Sequence, residues 1–473
     1  MESPPPPTEP KRLSLVDRLP ERDEPWYPAF DDHFRNFTDL FDQGSRSQST
    51  VEQARTYGLG LLSIEGRKSM EPIAERTTTP YHRTQYFITG AVWSPEAVQL
   101  RHTAILAKMF ATEDGVFSLD DEGDPKKGND SAGVTRQYCG NRGKEENCQV
   151  GVCLSYIRPH PSRYADMVSF GMAMRLYLNE ARAADMDHRE RTHIPDEVEY
   201  EPKWQIGLDQ IDRVLPLNVP HQAVVADADY GRVADFRRGL RERKEAYVLG
   251  VQPSQTQILL EGEKEPRTCA EVARTLPESA WRKLTWSKGT KGDLVMEVAR
   301  VRATVSEKGH PTTEEDWVLF ERRTNETKAY LAWGLDGLSL RAQVRLVRAR
   351  WGIELWFEHA KSELGLDQFE GRSWPGWHHN VSMVMLDHGY LMIQRTKGKG
   401  KDGKPLPTLP AVKRATEHRV VAELMDRVIA DEDKGRREKL AITALEVMGR
   451  PPKLTADGHL FVSKDWRDYL DAG

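Results

Sequence analysis

Glu354 lies between two cations on what reads as one face of a helix. Arg350 precedes it by four residues and Lys361 follows it by seven, offsets that stack all three on one side of a 3.6-residue helix. A carboxylate held this way can ligate a divalent metal while the neighbouring cations touch phosphate oxygens. The bland alternative is a solvated helix face with an i,i+4 ion pair between Arg350 and Glu354. Two further acids change the weighing. Asp121 closes the apolar run in GVFSLDD, and Asp227 follows the apolar run in HQAVVADADYG. Aspartates there are commonly turn formers, yet ligands in open α/β sheets gather at the carboxyl ends of strands. Three carboxylates from separate elements can hold one or two magnesium or manganese ions through hard oxygen ligands. Two such ions clamp the attacking and leaving oxygens of an in-line phosphoryl displacement. In that scheme Asp121, Asp227 and Glu354 are metal ligands and catalytic groups, and Arg350 and Lys361 hold phosphates. Lys126 and Lys127, in DPKKG, either touch the same backbone or form an exposed turn.

The elements that must position these residues fall into six stretches. Residues 1–28 are rich in Pro, Glu and Arg without periodicity and are expected to be a disordered arm. Residues 29–112 read as helical, with FRNFTDLF, VEQARTYGLGLLSIEGRKSMEPIAER and SPEAVQLRHTAILAKMF, the last with Ser94 as N-cap before Pro95. This segment is either a helix-turn-helix reader of DNA or a helical cap; we take DNA binding as the expectation. Over 113–251, three strands (GVFSLDD, NCQVGVCLSY, MVSFGMAMRLYL) precede helix, strand, helix and strand, which predicts an α/β core. Residues 252–338 alternate apolar and polar residues between Gly and polar turns, so a β-rich insertion is expected. The core resumes over 339–396 with the helix of Glu354 and then HNVSMVMLDHGYLMIQR, apolar nearly all round and therefore a buried helix. Residues 397–473 contain a basic glycine-rich loop, a helical VVAELMDRVIADED segment and a polar tail.

Composition narrows the class. The chain has 473 residues, 30% of them charged, and a formal net charge of -5, which by itself does not advertise nucleic-acid binding. Two local runs carry the positive charge: RTKGKGKDGK at 395–404, and Arg341, Arg345, Arg348 and Arg350. There is no apolar run of membrane-spanning length and no apolar signal-peptide core at the N-terminus, so a cytoplasmic protein without membrane association is expected. Cys139, Cys148, Cys153 and Cys269 lack zinc-knuckle spacing and read as buried free thiols. No G-x-x-x-x-G-K-[ST] loop occurs, so no nucleotide cofactor is expected.

Several blocks in one order carry a resemblance: LDDEGDPKKGNDSAGVTRQYCG, NCQVGVCLSY, VVADADYG, LTWSKGTKG and RWGIELWFEHAKSELGLDQFEGRSWPGWHHNVSMVML. Together they resemble the DDE transposases of bacterial insertion sequences, in particular the group with a tyrosine, arginine, glutamate, lysine signature around the third acid. The resemblance covers roughly residues 58–394. It implies an RNase H-like catalytic core interrupted by a β-strand insertion and magnesium-dependent cut-and-paste transposition. It also implies a homodimer on double-stranded DNA, engaging terminal inverted repeats and target DNA. The family's first acid is followed by Thr and then often Gly, which points to Asp121 before Glu122 and Gly123, with Asp120 as the alternative. The second acid falls on Asp227, the third on Glu354, the signature Arg on Arg350 and its Lys on Lys361.

Three departures stand out. Val347 occupies the signature tyrosine position, Glu122 replaces the Thr, and Gly352 inside the signature helix costs about 1 kcal/mol relative to Ala. In relatives with such an insertion an aromatic residue stacks on an extruded base, which points to Trp286 with Lys288 and Lys291 as its phosphate contacts, or else to a core Trp. Trp374 and Trp377 read as packing residues, and His378 and His379 as phosphate contacts or surface residues rather than metal ligands. Competing functions are a metal-dependent nuclease that cuts without joining, and a domesticated, inactive DNA-binding regulator. A carboxylate-pair glycosidase is disfavoured by the cations around Glu354.

Overall fold

Apolar residues dominate 116–119 and 223–226, and both runs are buried strands in the computed structural model. The structure describes residues 30–416 apart from 43–46, 64–65, 78, 161–165, 290–291, 308–309, 325 and 398–405. The expected arm over 1–28, nearly all of the basic loop, the segment beyond 416 and Lys291 therefore lie outside the described residues. Among the described residues no helix is long and apolar enough to cross a membrane.

The chain divides into two units. The first comprises residues up to Trp93, Lys361–Glu370 and those from Leu386 onward. Its N-terminal part contains α1 (Phe30–Phe34), α2 (Thr38–Phe41), α3 (Ser47–Ser63), α4 (Met70–Arg76) and α5 (Tyr81–Thr89). Aromatic rings close its core: Phe41 meets Trp93 edge-on at 5.0 Å and Phe87 stacks on Trp93 at 5.6 Å. Four residues, 77–80, join α4 to α5, and Pro80 precedes the first turn of α5.

The second unit comprises Ser94–Ala360 and Gly371–Met385. It begins with α6 (Pro95–Phe110), where Ser94 caps the helix by accepting from the Ala97 N–H at 3.1 Å. The sequence groups this helix with the preceding ones, but it packs with the sheet. The cause is a polar face: Gln99 Oε1 accepts from the Met174 N–H, and Thr103 donates to the Met172 carbonyl.

Among the described residues the sheet has twelve strands: β1 (Val116–Pro125), β2 (Thr135–Cys139), β3 (Lys144–Arg158), β4 (Val168–Leu176), β5 (Ala223–Ala226), β6 (Tyr247–Val251), β7 (Gln257–Leu260), β8 (Arg267–Thr268), β9 (Arg282–Gly289), β10 (Gly292–Glu307), β11 (His310–Arg322) and β12 (Thr327–Trp333). Along β4, β3, β1, β5 and β6 the first three are antiparallel, and β5 and β6 run parallel to β1. This is the α/β, RNase H-like core that the resemblance implied. Between β4 and β5 lie α7 (Glu180–Ala184), α8 (Met186–Thr192) and α9 (Lys203–Val214); α10 (Ala228–Gly231) and α11 (Ala234–Glu242) connect β5 to β6. The described residues of 252–338 are mostly strand, with the α-helix α12 (Cys269–Thr275) and a 3-10 turn at Glu278–Ala280. The segment is not detached from the core sheet: β12 pairs antiparallel with β6 and extends it through β11 and β10.

The single helix expected around Glu354 is two, α13 (Leu340–Ala349) and α14 (Trp351–Leu364), meeting at Arg350. Gly352 has a packing reason that outweighs its propensity cost. A Cβ there would come within 2.7 Å of the Ile157 side chain on β3, and the Gly352 carbonyl accepts from Ser169 Oγ at 2.6 Å. The following helix, α15 (Trp374–Lys397), is buried along nearly its whole length, as its composition predicts.

Candidate active site

β1 and β5 are parallel neighbours in register, with Leu119 beside Ala226. The next residues, Asp120 within β1 and Asp227 just past the end of β5, therefore lie at the same level. Side chains alternate along a strand, so Asp120 and Asp121 face opposite ways and only one can join Asp227. Asp120 Oδ2 accepts from Arg350 Nη1 at 2.8 Å, and Arg350 Nη2 donates to Glu354 Oε1 at 2.7 Å. The guanidinium thus ties an acid of β1 to the acid of α14. Asp121 is engaged elsewhere: Lys203 Nζ of α9 donates to its Oδ2 at 2.6 Å and the Tyr230 hydroxyl to its Oδ1. Asp227 caps α10, its Oδ1 accepting from the Asp229 N–H at 2.9 Å.

The electrostatics follow from crowding. Burial pushes the Asp120 carboxyl up to about 7; the Arg350 charge opposes this, and the charges of Asp227 and Asp121 add to it. Asp227 is raised as well, by burial first and then by Asp229, again against Arg350. Arg350 is held above its ordinary value, since Asp120, Glu354 and Asp227 outweigh the burial that works the other way. One guanidinium, that of Arg350, thus acts on three carboxylates.

A cavity of about 720 Å³ opens beside these groups, lined by Asp227, Arg350 and Glu354 together with Trp286, Arg348 and Val347. Trp286 is half-buried on β9 and reaches the cavity, with the Arg348 guanidinium 5.4 Å from its ring centroid. Lys288 is exposed two residues further on. Val347, at the signature tyrosine position, is buried on α13 and lines the same cavity. Lys126 is tied to Asp124 in the turn after the acids, and Lys127 is exposed; neither lines the cavity. Lys361 is half-buried two turns along α14, in the part assigned to the first unit. The arginine run is mostly engaged internally: Arg341 donates to the Thr285 carbonyl at 2.9 Å and Arg348 pairs with Glu321.

The expectation for His378 and His379 is overturned. Both are buried at 4% and 3% exposure because α15 is surrounded. His378 Nδ1–H donates to the Trp374 carbonyl, and Nε2 accepts from the Leu176 N–H at 3.2 Å. Burial pushes its pKa down to about 4, so it is a neutral packing residue. Trp374 and Trp377 are buried, as expected. Glu122 is buried at 6% exposure, two residues from Asp120 and on the same face of β1. All four cysteines are buried and free.

Sequence reading missed Tyr230 and Lys203. Tyr230 had a signal, lying three residues after Asp227 in DADYG, one turn into the helix that this acid caps. Gly231 completes the motif, because a Cβ there would strike the Gly250 carbonyl at 1.9 Å. Lys203 had none, since nothing local links α9 to β1.

Asp120, Asp227 and Glu354 present hard oxygen donors suited to a divalent metal. Among the described residues no three His, Cys, Asp or Glu side chains are already clustered as a metal cage. Arg350 lies between Asp120 and Glu354 and donates to both, while burial first, and the neighbouring Asp227 and Asp121 after it, raise the Asp120 carboxyl. Asp120 and Glu354 are thus joined through one guanidinium, and carboxylates are the donor type that a divalent ion takes.

A family model described as DDE superfamily endonuclease matches residues 37–293, a span that includes Asp120, Asp121 and Asp227. The chain is also similar to a protein of Microchaete diplosiphon described as a probable transposase for insertion sequence element IS701. The two are 22% identical over 324 residues, which cover 67% of this chain and 76% of the relative.

Proposed function

Because the chain belongs to the DDE superfamily of endonucleases, and so is a transposase-type nuclease acting on DNA, we propose that it cuts the ends of a mobile element. It then joins them to target DNA by in-line phosphoryl transfer. The observation that carries this reading is the meeting of Asp120 and Asp227 at one level of adjacent parallel strands, with Arg350 linking Asp120 to Glu354. Endonucleases of this superfamily use divalent metal ions. We assign Asp120, Asp227 and Glu354 as the ligands of magnesium or manganese, two ions in the full site. When bound, such ions activate a water or a terminal hydroxyl and stabilise charge on the phosphate being attacked.

The chain's own residues do the rest. Asp120 has to lose its proton before it can act as a ligand. Arg350, released from Asp120 and Glu354, becomes free to hold a non-bridging phosphate oxygen, as the signature arginine would. Asp121 holds β1 against α9 and α10 through Lys203 and Tyr230, and so positions Asp120 from the other face. Trp286 offers a ring for a base beside the cavity, with Lys288 and Lys291 for its phosphates. Lys361, Lys126 and Lys127 belong to the same proposal as contacts to more distant phosphates. A homodimer on paired terminal repeats completes it.

The test is an excision and strand-transfer assay with the element's own flanking DNA. Asp120→Asn, Asp227→Asn and Glu354→Gln should each abolish cleavage while DNA binding survives. Asp121→Asn keeps an acceptor for Tyr230 and should retain measurable cleavage. If Asp120→Asn cleaves normally and Asp121→Asn does not, the assignment of the first acid is reversed. Cleavage without joined product would favour a nuclease.

A further inference from the structure

The first unit contains a recess of its own, about 360 Å³ in volume, between α3 and α5. Its floor is apolar, made by the buried Phe87 and Ala91. Its rim is different: Tyr86 is 49% exposed, and His82 and Arg83 beside it are exposed too. Gln53, from α3, lines the recess at 8% exposure, and its amide oxygen has no hydrogen-bond partner. A buried acceptor left unpaired costs free energy, and Gln53 is among the residues that line this recess. The charge around it is one-sided, since no Asp or Glu occurs between residues 77 and 95, a stretch that contains all of α5.

An aromatic ring at the mouth, an apolar floor, an orphan acceptor inside and a guanidinium on an acid-free rim define a ligand. It is flat and apolar, carries an N–H on its edge and bears an adjoining anion. A nucleotide has this combination, and the volume lies within the range of small-ligand sites. A base stacked in a duplex shows no free face, so the nucleotide must be unpaired or drawn out of the helix. We propose that this recess takes one unstacked base of DNA, its edge N–H donating to Gln53, its face against Tyr86, and its phosphate at Arg83. The inference rests on the DNA-transposing reading of the chain but needs none of the acid-site residues.

The experiment uses the full chain carrying Asp227→Asn, which cannot cleave. The probes are fluorescein-labelled duplexes with no tail, with a single-stranded oligo-dT tail, or with an abasic tail of the same length. Thymine offers an N3–H for Gln53, and the abasic tail keeps the phosphates while removing the bases. The dT tail should bind about tenfold more tightly than the abasic tail, the scale of one base on one aromatic ring. Tyr86→Ala and Gln53→Leu should each remove most of that preference, whereas Tyr86→Phe keeps it. Tyr86 is too exposed for its loss to threaten folding. Equal binding of the two tails, or a preference that survives Tyr86→Ala, overturns the base site alone. Failure of the parent chain to bind any of the three probes overturns the DNA-transposing reading with it.

Discussion

Replacing Arg350 by Gln should move metal binding in opposite directions at the two ends of the pH scale. Arg350 Nη1 lies 2.8 Å from Asp120 Oδ2, which puts the charge centres about 4 Å apart. At that distance the attraction is about 4 kcal/mol at an effective dielectric of about 20 and about 1 kcal/mol in water. Side-chain exposures of 29% for Arg350 and 19% for Asp120 set the pair between these limits, at about 2 kcal/mol. One pKa unit corresponds to about 1.4 kcal/mol, so the loss of Arg350 raises Asp120 by about one to two units above its present value near 7. A ligand carboxyl must be deprotonated, so manganese affinity in the wild type falls as pH drops below about 7. In Arg350→Gln that fall should begin about one to two pH units higher. Well above both breaks the order reverses, because the metal no longer has to displace the guanidinium from Asp120 and Glu354. There the variant should bind more tightly by up to about thirtyfold, the same 2 kcal/mol read as an equilibrium constant. Calorimetric titration of manganese across pH, without DNA, measures both arms. Curves with a common break and no crossing would refute the view that Arg350 both tunes Asp120 and must be displaced by the metal.

Four further outcomes follow from named groups. Asp120→Asn should stabilise the fold: a carboxyl raised from 3.8 to about 7 favours the folded state below pH 3.8, and that contribution is lost as pH rises through about 7. The gain at pH 8 is at most about 4 kcal/mol, three units at about 1.4 each, and denaturant titrations at pH 8 and pH 4 should show it only at the former. Asp387, fully buried with both carboxyl oxygens unpartnered, is likewise raised by burial. Asp387→Asn should therefore raise the melting temperature more at pH 9 than at pH 5, and an equal shift at both would show that the carboxyl is not protonated in the fold. Gly352→Ala drives a methyl into Ile157 and should cost about 1–3 kcal/mol, read as a lower melting temperature. Val347→Tyr sends a phenol toward the cavity and should tighten binding of element-end DNA in a gel-shift titration; weaker binding would show that the buried position cannot accept it.

Much of this architecture is written in local pattern. The apolar runs at 116–119 and 223–226, each followed by acid, predicted two buried strands, although the first does not end at its aspartates but runs on to Pro125. The composition of 379–395 predicted a helix buried all round. What local pattern could not supply was which of two adjacent aspartates faces the site. That depends on the phase of β1 relative to β5, a long-range pairing, and the Thr-Gly comparison that pointed to Asp121 contains no information about phase. Lys203 was invisible for a related reason, since it reaches Asp121 from 82 residues away. His378 and His379 misled because they are polar in sequence, whereas burial converts His378 into a neutral link between α15 and β4. The joining of β12 to β6 was equally hidden, because alternation reports a strand and not its partner.

The brevity of β5 has a consequence for how this chain can change. It has only four residues, Ala223–Ala226, and is hydrogen-bonded on both sides to parallel neighbours. Losing or gaining one residue there, or over 116–119, would reverse every side chain beyond it and turn an acid toward the wrong face. Length variation among descendants of this sequence should therefore collect in exposed turns such as 261–266 between β7 and β8. A library of single-residue deletions, scored by excision, would show 116–119 and 223–226 as silent gaps in an otherwise permissive profile.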